Sequence, residues 1–234
     1  MGWSMRTVTI APSLICTDLC NLQTEVECLE KLGCKMLHVD IIDGRFSPDM
    51  PLGIDMVKQL RTRTKMIFDV HLMAADNLPY LELLLQCGAD RICFHTEYEP
   101  RPTILLRKIR AAGYKAGIAI SPETPISQIE HYLCLCDFVL VMRIDAGYAH
   151  LKGQQVYGHV DQKIQELRNY IYSRGWDIEI EADGRIGFDD IVPLHEKGVS
   201  TFVSGTKGIF FPEKSREENW EHLEKIVGGL NSCT

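Results

Sequence analysis

The chain has no run of apolar residues approaching the roughly 20 needed to cross a bilayer. It also has no Pro/Gly/Ser-rich linker and no break in composition, so its 234 residues read as one unit, 1–234. Within it, 1–7 reads as an extended or disordered N-terminal extension. The opening Met1-Gly2-Trp3-Ser4-Met5-Arg6 lacks a signal peptide's apolar core, and Arg6 stands where a myristoylation motif wants Ser or Thr. A cytoplasmic protein is the expectation. Positive charge is short: 25 Lys and Arg against 32 Asp and Glu leave a net −7, which argues against nucleic acid or an anionic membrane as partner. A small phosphorylated substrate stays open, because backbone amides bind phosphate without net positive charge. The nine cysteines include no paired Cys-x-x-Cys motifs, and Cys134-Leu135-Cys136 has the wrong spacing for one. Cys16, Cys28, Cys87 and Cys93 lie in apolar contexts, so reduced thiols are expected rather than a disulfide scaffold or zinc knuckle. No Gly-x-Gly-x-x-Gly follows the first strand-like segment.

What is present is an ordinary globular composition, 45% hydrophobic and 24% charged, and a regular alternation of patterns. Strands are predicted at 8–15, 36–39, 65–71, 91–95, 115–120, 138–142, 177–182 and 201–203. Helices are predicted between and after them at 18–32, 54–61, 78–87, 103–112, 126–133, 160–174, 189–197 and 216–227. Thr17 or Asp18 caps the first helix; Gly113 and Gly198 stop two others. Eight strand–helix repeats of roughly 29 residues imply a parallel sheet with helices outside, an α/β fold closed as a single (β/α)8 TIM barrel.

In such a barrel, catalytic groups stand at the C-terminal ends of the strands. His38 and Asp40 share one face of the second strand, His71 ends the third and Asp183 the seventh. Two imidazoles and two carboxylates at one mouth suit a divalent ion such as zinc, iron, manganese, cobalt or magnesium. If two ligands also act as bases, the site can remove a proton beside a carbonyl and return it.

The segments Ala11-Pro12-Ser13-Leu14, His38-Val39-Asp40-Ile41-Ile42-Asp43-Gly44, His71-Leu72-Met73, Val141-Met142 and Ala182-Asp183-Gly184 resemble the ribulose-phosphate 3-epimerase family, over nearly the whole chain. The resemblance implies a (β/α)8 barrel that inverts C3 of a phosphorylated ketose with one bound divalent metal per subunit. His38, Asp40, His71 and Asp183 would be its ligands, and Asp40 and Asp183 the two bases on opposite faces of C3. A metal chelated by the C2 carbonyl and the C3 hydroxyl would stabilise an enediolate as charge develops. Ser13 would bond substrate or a catalytic carboxylate, or else cap the first helix. Met73 and Met142 match methionines around the reacting carbons, and Ile42 stands where the family usually has a third. The phosphate would lie on loops including Gly147, Gly184, Arg185, Gly205 and Thr206, with Arg185 where a small residue is common. Dimers or hexamers are common in the family, so a homo-oligomer is implied.

Two departures bear on the substrate. The family's Pro-Gly-Phe-(Gly/Ala)-Gly-Gln is replaced by Ala146-Gly147-Tyr148-Ala149-His150-Leu151-Lys152-Gly153-Gln154, a longer lid bearing His150 and Lys152. Ser121-Pro122-Glu123-Thr124-Pro125 is similar to the allulose-6-phosphate 3-epimerase branch, as is the stretch from Pro12 to Leu19. The expected reaction is D-allulose 6-phosphate to D-fructose 6-phosphate. The alternatives are D-ribulose 5-phosphate to D-xylulose 5-phosphate, or a sugar-phosphate binder without turnover. A related decarboxylase is disfavoured because Asp40-Ile41-Ile42-Asp43 has no lysine between its carboxylates.

Overall fold

Parallel strands flanked by helices are buried on both faces, and these strand sequences are apolar enough to permit it. The computed structural model describes residues 6–148 and 153–232. Its strands are β1 (Thr9–Pro12), β2 (Met36–Ile42), β3 (Ile67–Met73), β4 (Arg91–His95), β5 (Lys115–Ile120), β6 (Phe138–Met142), β7 (Glu179–Asp183) and β8 (Thr201–Ser204). All ladders are parallel, in the order β1-β8-β7-β6-β5-β4-β3-β2, and a parallel bridge between Ser13 and His38 returns β2 to β1. The sheet is therefore a nearly closed barrel.

Alternation along each strand separates two cores. Leu37, Val39 and Ile41 of β2, with Phe68, Val70 and Leu72 of β3, join the layer between barrel and helices. The intervening residues point into the barrel. Near the mouth, Ile42, Met73, Cys93, Leu140 and Met142 form a separate inner cluster. Among the described residues the helices are α1 (Leu22–Leu32), α2 (Ile54–Arg61), α3 (Asn77–Leu84), α4 (Pro102–Ala111), α5 (Val160–Ser173), α6 (Ile191–Glu196) and α7 (Arg216–Asn231). Each offers apolar residues to the outer layer, as Val26 and Leu29 of α1 or Leu105, Leu106 and Ile109 of α4 do.

The expected helix at 126–133 does not form. Two short 3-10 turns, Ile126–Gln128 and Leu133–Leu135, take its place. Ile126, Ile129 and Tyr132 recur every third residue, the 3-10 period, and all pack on the outer core. The first strand stops at Pro12, and the backbone turns at Leu14–Cys16. Asp18 caps a 3-10 turn at Leu19–Asn21, its Oδ1 accepting from Cys20 N–H at 3.0 Å; α1 itself begins after Asn21, so neither Thr17 nor Asp18 is its cap. β2 and β3 run on to Ile42 and Met73, so His38, Asp40 and His71 lie inside their strands, not at the last residue. Of the 1–7 extension, 1–5 fall outside the described residues, while Arg6 pairs with Asp177.

Low in the barrel, Gly117 of β5 leaves room for Phe138 of β6. A Cβ on Gly117 would stand 2.4 Å from the Phe138 ring, which is itself held under the Arg91 guanidinium at 4.0 Å. Gly117→Ala should cost about 1–3 kcal/mol through overpacking, read as a lower urea midpoint. An unchanged midpoint would mean the interior yields more easily than this packing implies.

Candidate active site

Register brings the polar inward residues of β2, β3 and β7 to one level. Asp40 pairs with His71 across β2 and β3, and Asp183 ends β7. Asp40 Oδ1 lies 3.4 Å from both His38 Nε2 and His71 Nδ1, and Asp183 Oδ2 lies 3.9 Å from each. One donor atom from each of His38, Asp40, His71 and Asp183 lies within 4.8 Å of all the others. His38 Nε2 and His71 Nδ1 are buried and have no hydrogen-bond partner. Buried ring nitrogens are costly to leave without partners, and a cation bound between them and the carboxylates, in place of a proton where one is held, would satisfy them. Four ligands at about 2.1 Å from a tetrahedral ion stand about 3.4 Å apart, close to the spacing here. The residues fit a divalent metal.

Beneath this set lies a buried layer of charge. His38 Nδ1 contacts Asp69 Oδ2 at 2.8 Å and Glu181 Oε1 at 3.3 Å. Arg91 answers those carboxylates, reaching Asp69 at 2.8 Å, Glu181 at 2.6 Å and Glu179 at 2.9 Å. An imidazole oriented by a carboxylate on its far nitrogen presents the near nitrogen as a ligand. His71 is oriented differently, its Nε2 lying 3.0 Å from His95 Nε2. Ser13 Oγ donates to Asp40 Oδ2 at 3.0 Å and makes no capping bond to the following turn. Of its possible roles, the carboxylate contact is the one formed.

The two carboxylates are pushed apart electrostatically. Burial would raise Asp40, but the flanking imidazoles of His38 and His71 hold it well below the usual carboxylate range. Burial raises Asp183 to about 7; Asp40's charge adds to this and His38 opposes it. For His38 itself, the cost of burial is outweighed by Asp40, Asp69 and Glu181, which lift it well above the ordinary imidazole value. Burial lowers His71 and His95. A low and a high carboxyl at one site make a base and an acid available together.

The cleft above these groups is lined by Ser13, Asp40, Met73, Met142, Gly147, Asp183, Gly184, Arg185, Gly205 and Thr206, all anticipated from sequence. His38 and His71 are fully buried behind it. Ile42 forms its wall beside the two methionines. Gly184 turns the chain at φ +111°, where a Cβ would meet Ile144 at 2.8 Å, and Arg185 follows in the left-handed region at φ +54°. Lys207, Asp49, Asp145 and Cys16 also line the cleft and were not anticipated there. The position of Lys207 directly after Gly205-Thr206 was the available signal. The lid residues Ala149, His150, Leu151 and Lys152 lie outside the described residues. Asp43 holds a loop, its oxygens accepting from the backbone N–H groups of Arg45, Phe46 and Ala75 at 2.7–2.9 Å.

The profile of the Ribulose-phosphate 3 epimerase family matches residues 9–210. The chain belongs to this family. A ribulose-phosphate 3-epimerase of Synechocystis is 34% identical over 229 residues, covering 97% of this chain and 95% of the relative. One of Rhodobacter capsulatus is 36% identical over 207 residues, covering 88% and 87%. Among solved structures, 3-keto-L-gulonate-6-phosphate decarboxylase of Vibrio cholerae superposes with a TM-score of 0.68 at 14% identity, over 95% of this chain and 98% of that one, a likeness of fold. The protein is thus an isomerase, an epimerase acting at C3 of a sugar phosphate. Among the described residues no helix is long and apolar enough to cross a membrane.

The segment Ser121–Pro125, which suggested the allulose branch, does not line the cleft of this epimerase. It packs behind His95, with Ser121 N–H donating to Glu97 Oε1 at 2.7 Å and Lys163 Nζ donating to the carbonyls of Ser121, Pro122 and Thr124 at 2.8–3.2 Å.

Without metal, Asp183 near 7 keeps a proton that an unfolded Asp at 3.8 has lost. This group therefore removes stability from the metal-free protein as pH rises from about 4 to about 7. Metal uptake must displace the protons on Asp183 and His38. Calorimetry in buffers of different ionisation enthalpy should show proton release on zinc binding at about pH 6, the share from Asp183 falling as pH rises through about 7, with affinity strengthening over the same range. Uptake without proton release would contradict the raised Asp183 and His38.

Proposed function

We propose that this epimerase interconverts D-ribulose 5-phosphate and D-xylulose 5-phosphate by proton transfer between Asp40 and Asp183. The observation that carries the proposal is the placement of two carboxylates of opposed proton affinity beside one buried imidazole pair. β2 and β7 are separated by β1 and β8, so their carboxylates approach a substrate from different sides, as inversion requires. One removes the C3 proton, and the other returns a proton to the opposite face. His38, Asp40, His71 and Asp183 would hold one divalent ion, which supplies a Lewis acid for the carbonyl beside C3. Ser13 orients Asp40. Ile42, Met73 and Met142 exclude water from the reacting carbons.

The phosphate would bind at the far end of the cleft, on the amides of Gly184, Gly205 and Thr206, with Gly147 closing from the sixth loop. Arg185 and Lys207 would add charge there. The pentulose is preferred over the expected D-allulose 6-phosphate for two reasons. The named relatives at 34% and 36% identity are ribulose-phosphate 3-epimerases, and Ser121–Pro125 lies away from the cleft.

Proton NMR in D₂O with each ketose phosphate tests the reaction and ranks the substrates. Deuterium at C3 with epimeric product, and a higher kcat/KM for D-ribulose 5-phosphate, is the expected result. A higher value for D-allulose 6-phosphate would reverse the substrate assignment, and no exchange in metal-loaded protein would leave a binder without turnover. Asp40→Asn and Asp183→Asn, with metal content verified, should each lower kcat by roughly 10²–10⁴. Arg185→Ala and Lys207→Ala should raise KM roughly tenfold with little change in kcat, the loss of one charge-assisted bond. Near-native KM in both would remove these side chains from the phosphate end.

A further inference from the structure

His38 and His71 face the proposed ion with different nitrogens, Nε2 and Nδ1, and their far nitrogens are held in different ways. His38 has a carboxylate behind it, which can only accept and so leaves no choice of tautomer. His71 has another imidazole behind it. A neutral imidazole can donate or accept at either nitrogen, so the His71 Nε2 to His95 Nε2 contact at 3.0 Å does not by itself say which ring carries the shared proton. The choice matters. If His95 donated, His71 would carry its proton on Nδ1, the atom aimed at Asp40 and Asp183.

The next group removes the ambiguity. His95 Nδ1 lies 3.1 Å from Glu97 Oε2. Glu97 Oε1 accepts from Ser121 N–H at 2.7 Å and from Thr124 Oγ1. Two donors converging on this one oxygen suit an ionised carboxylate, an acceptor only; burial would raise the carboxyl, but His95 and these two bonds hold it down at about 2. His95 must then donate from Nδ1 and accept at Nε2; His71 donates from Nε2, and its Nδ1 is left with the lone pair. Lys163 secures the loop that supplies the donors to Glu97, through the carbonyls of Ser121, Pro122 and Thr124.

We propose that His95 and Glu97 are positioning residues that set the tautomer of His71, and that the Ser121–Pro125 segment serves this epimerase by fixing Glu97. The inference rests on the proposed ion at His71. It deepens that reading by adding residues that line neither the cleft nor the metal cluster.

Glu97→Gln separates charge and tautomer from shape. Ser121 N–H and Thr124 Oγ1 require an acceptor at Oε1, so the new amide must turn its NH₂ towards His95. That reverses both tautomers and places N–H on His71 Nδ1. Cobalt(II) and zinc affinities, measured against a competing chelator, should fall roughly 10–100-fold in Glu97→Gln. Glu97→Asp, which keeps an acceptor-only group, should retain most of the affinity. The metal-free unfolding midpoint of Glu97→Gln should stay near wild type, since shape and burial are kept. Long-range ¹H–¹⁵N spectra of the wild-type zinc protein supply a readout that needs no variant: His95 protonated on Nδ1 and His71 on Nε2.

The opposite tautomers, or equal losses in the Gln and Asp variants, would overturn the relay. So would unchanged affinity in Glu97→Gln, with the metal site itself left standing. Wild-type protein that bound neither ion would remove the metal site and the relay together.

Discussion

The inside of this barrel has to accommodate Asp40, Asp69, Glu179, Glu181 and Asp183 against the guanidinium of Arg91. Buried carboxylates must be paired, protonated or bound to a cation. The lower layer is paired, with Arg91 reaching three of them while lying on the Phe138 ring. Burial and the nearby charge of Asp69 raise Glu181 to about 8, a second way of reducing charge at that level. The upper layer has two imidazole nitrogens without hydrogen-bond partners beside two carboxyl groups, the condition a divalent cation would relieve. His38 belongs to both layers, with Asp69 behind it and Asp40 in front. The geometry of the mouth thus depends on the charge balance beneath it.

That dependence explains why carboxylates so close together can differ. Asp40 is flanked by both imidazoles and held by Ser13, whereas Asp183 stands farther from the imidazoles at the edge of the cleft. The same residue type is driven low in one place and high in the other by what surrounds it. The cleft has its own division: an apolar wall of Ile42, Met73 and Met142 near the proposed bases, and glycines with Arg185 and Lys207 at the proposed phosphate end. Side chains behind the cleft bear on those facing it, since the far nitrogen of His71 meets His95.

The strands were legible because β-strands buried on both faces leave short apolar runs between turns. Those at 91–95, 115–120 and 138–142 form at the expected bounds. The helix expected at 126–133 failed because apolar residues every third position suit 3-10 turns as well as a helix, and eight residues do not decide between them. His38, Asp40, His71 and Asp183 could be read from strands ending in imidazole or carboxylate. Phe94-His95-Thr96-Glu97 carries the same mark at the end of β4, and its role went unread because His95 stands behind His71 rather than in the cleft.

By itself the sequence determined the alternation of elements, the shared face of His38 and Asp40 and the family, since these follow from local periodicity and from motifs in order. Which inward residues meet, and through which atoms, was decided only by tertiary structure. Asp40 approaches His71 through the β2–β3 register, and Asp183 approaches both imidazoles through closure of the barrel. Ser121–Pro125 shows the limit most plainly. As sequence it resembled a substrate signature, but in the fold it buttresses Glu97, because a loop's function follows from the surface it packs against.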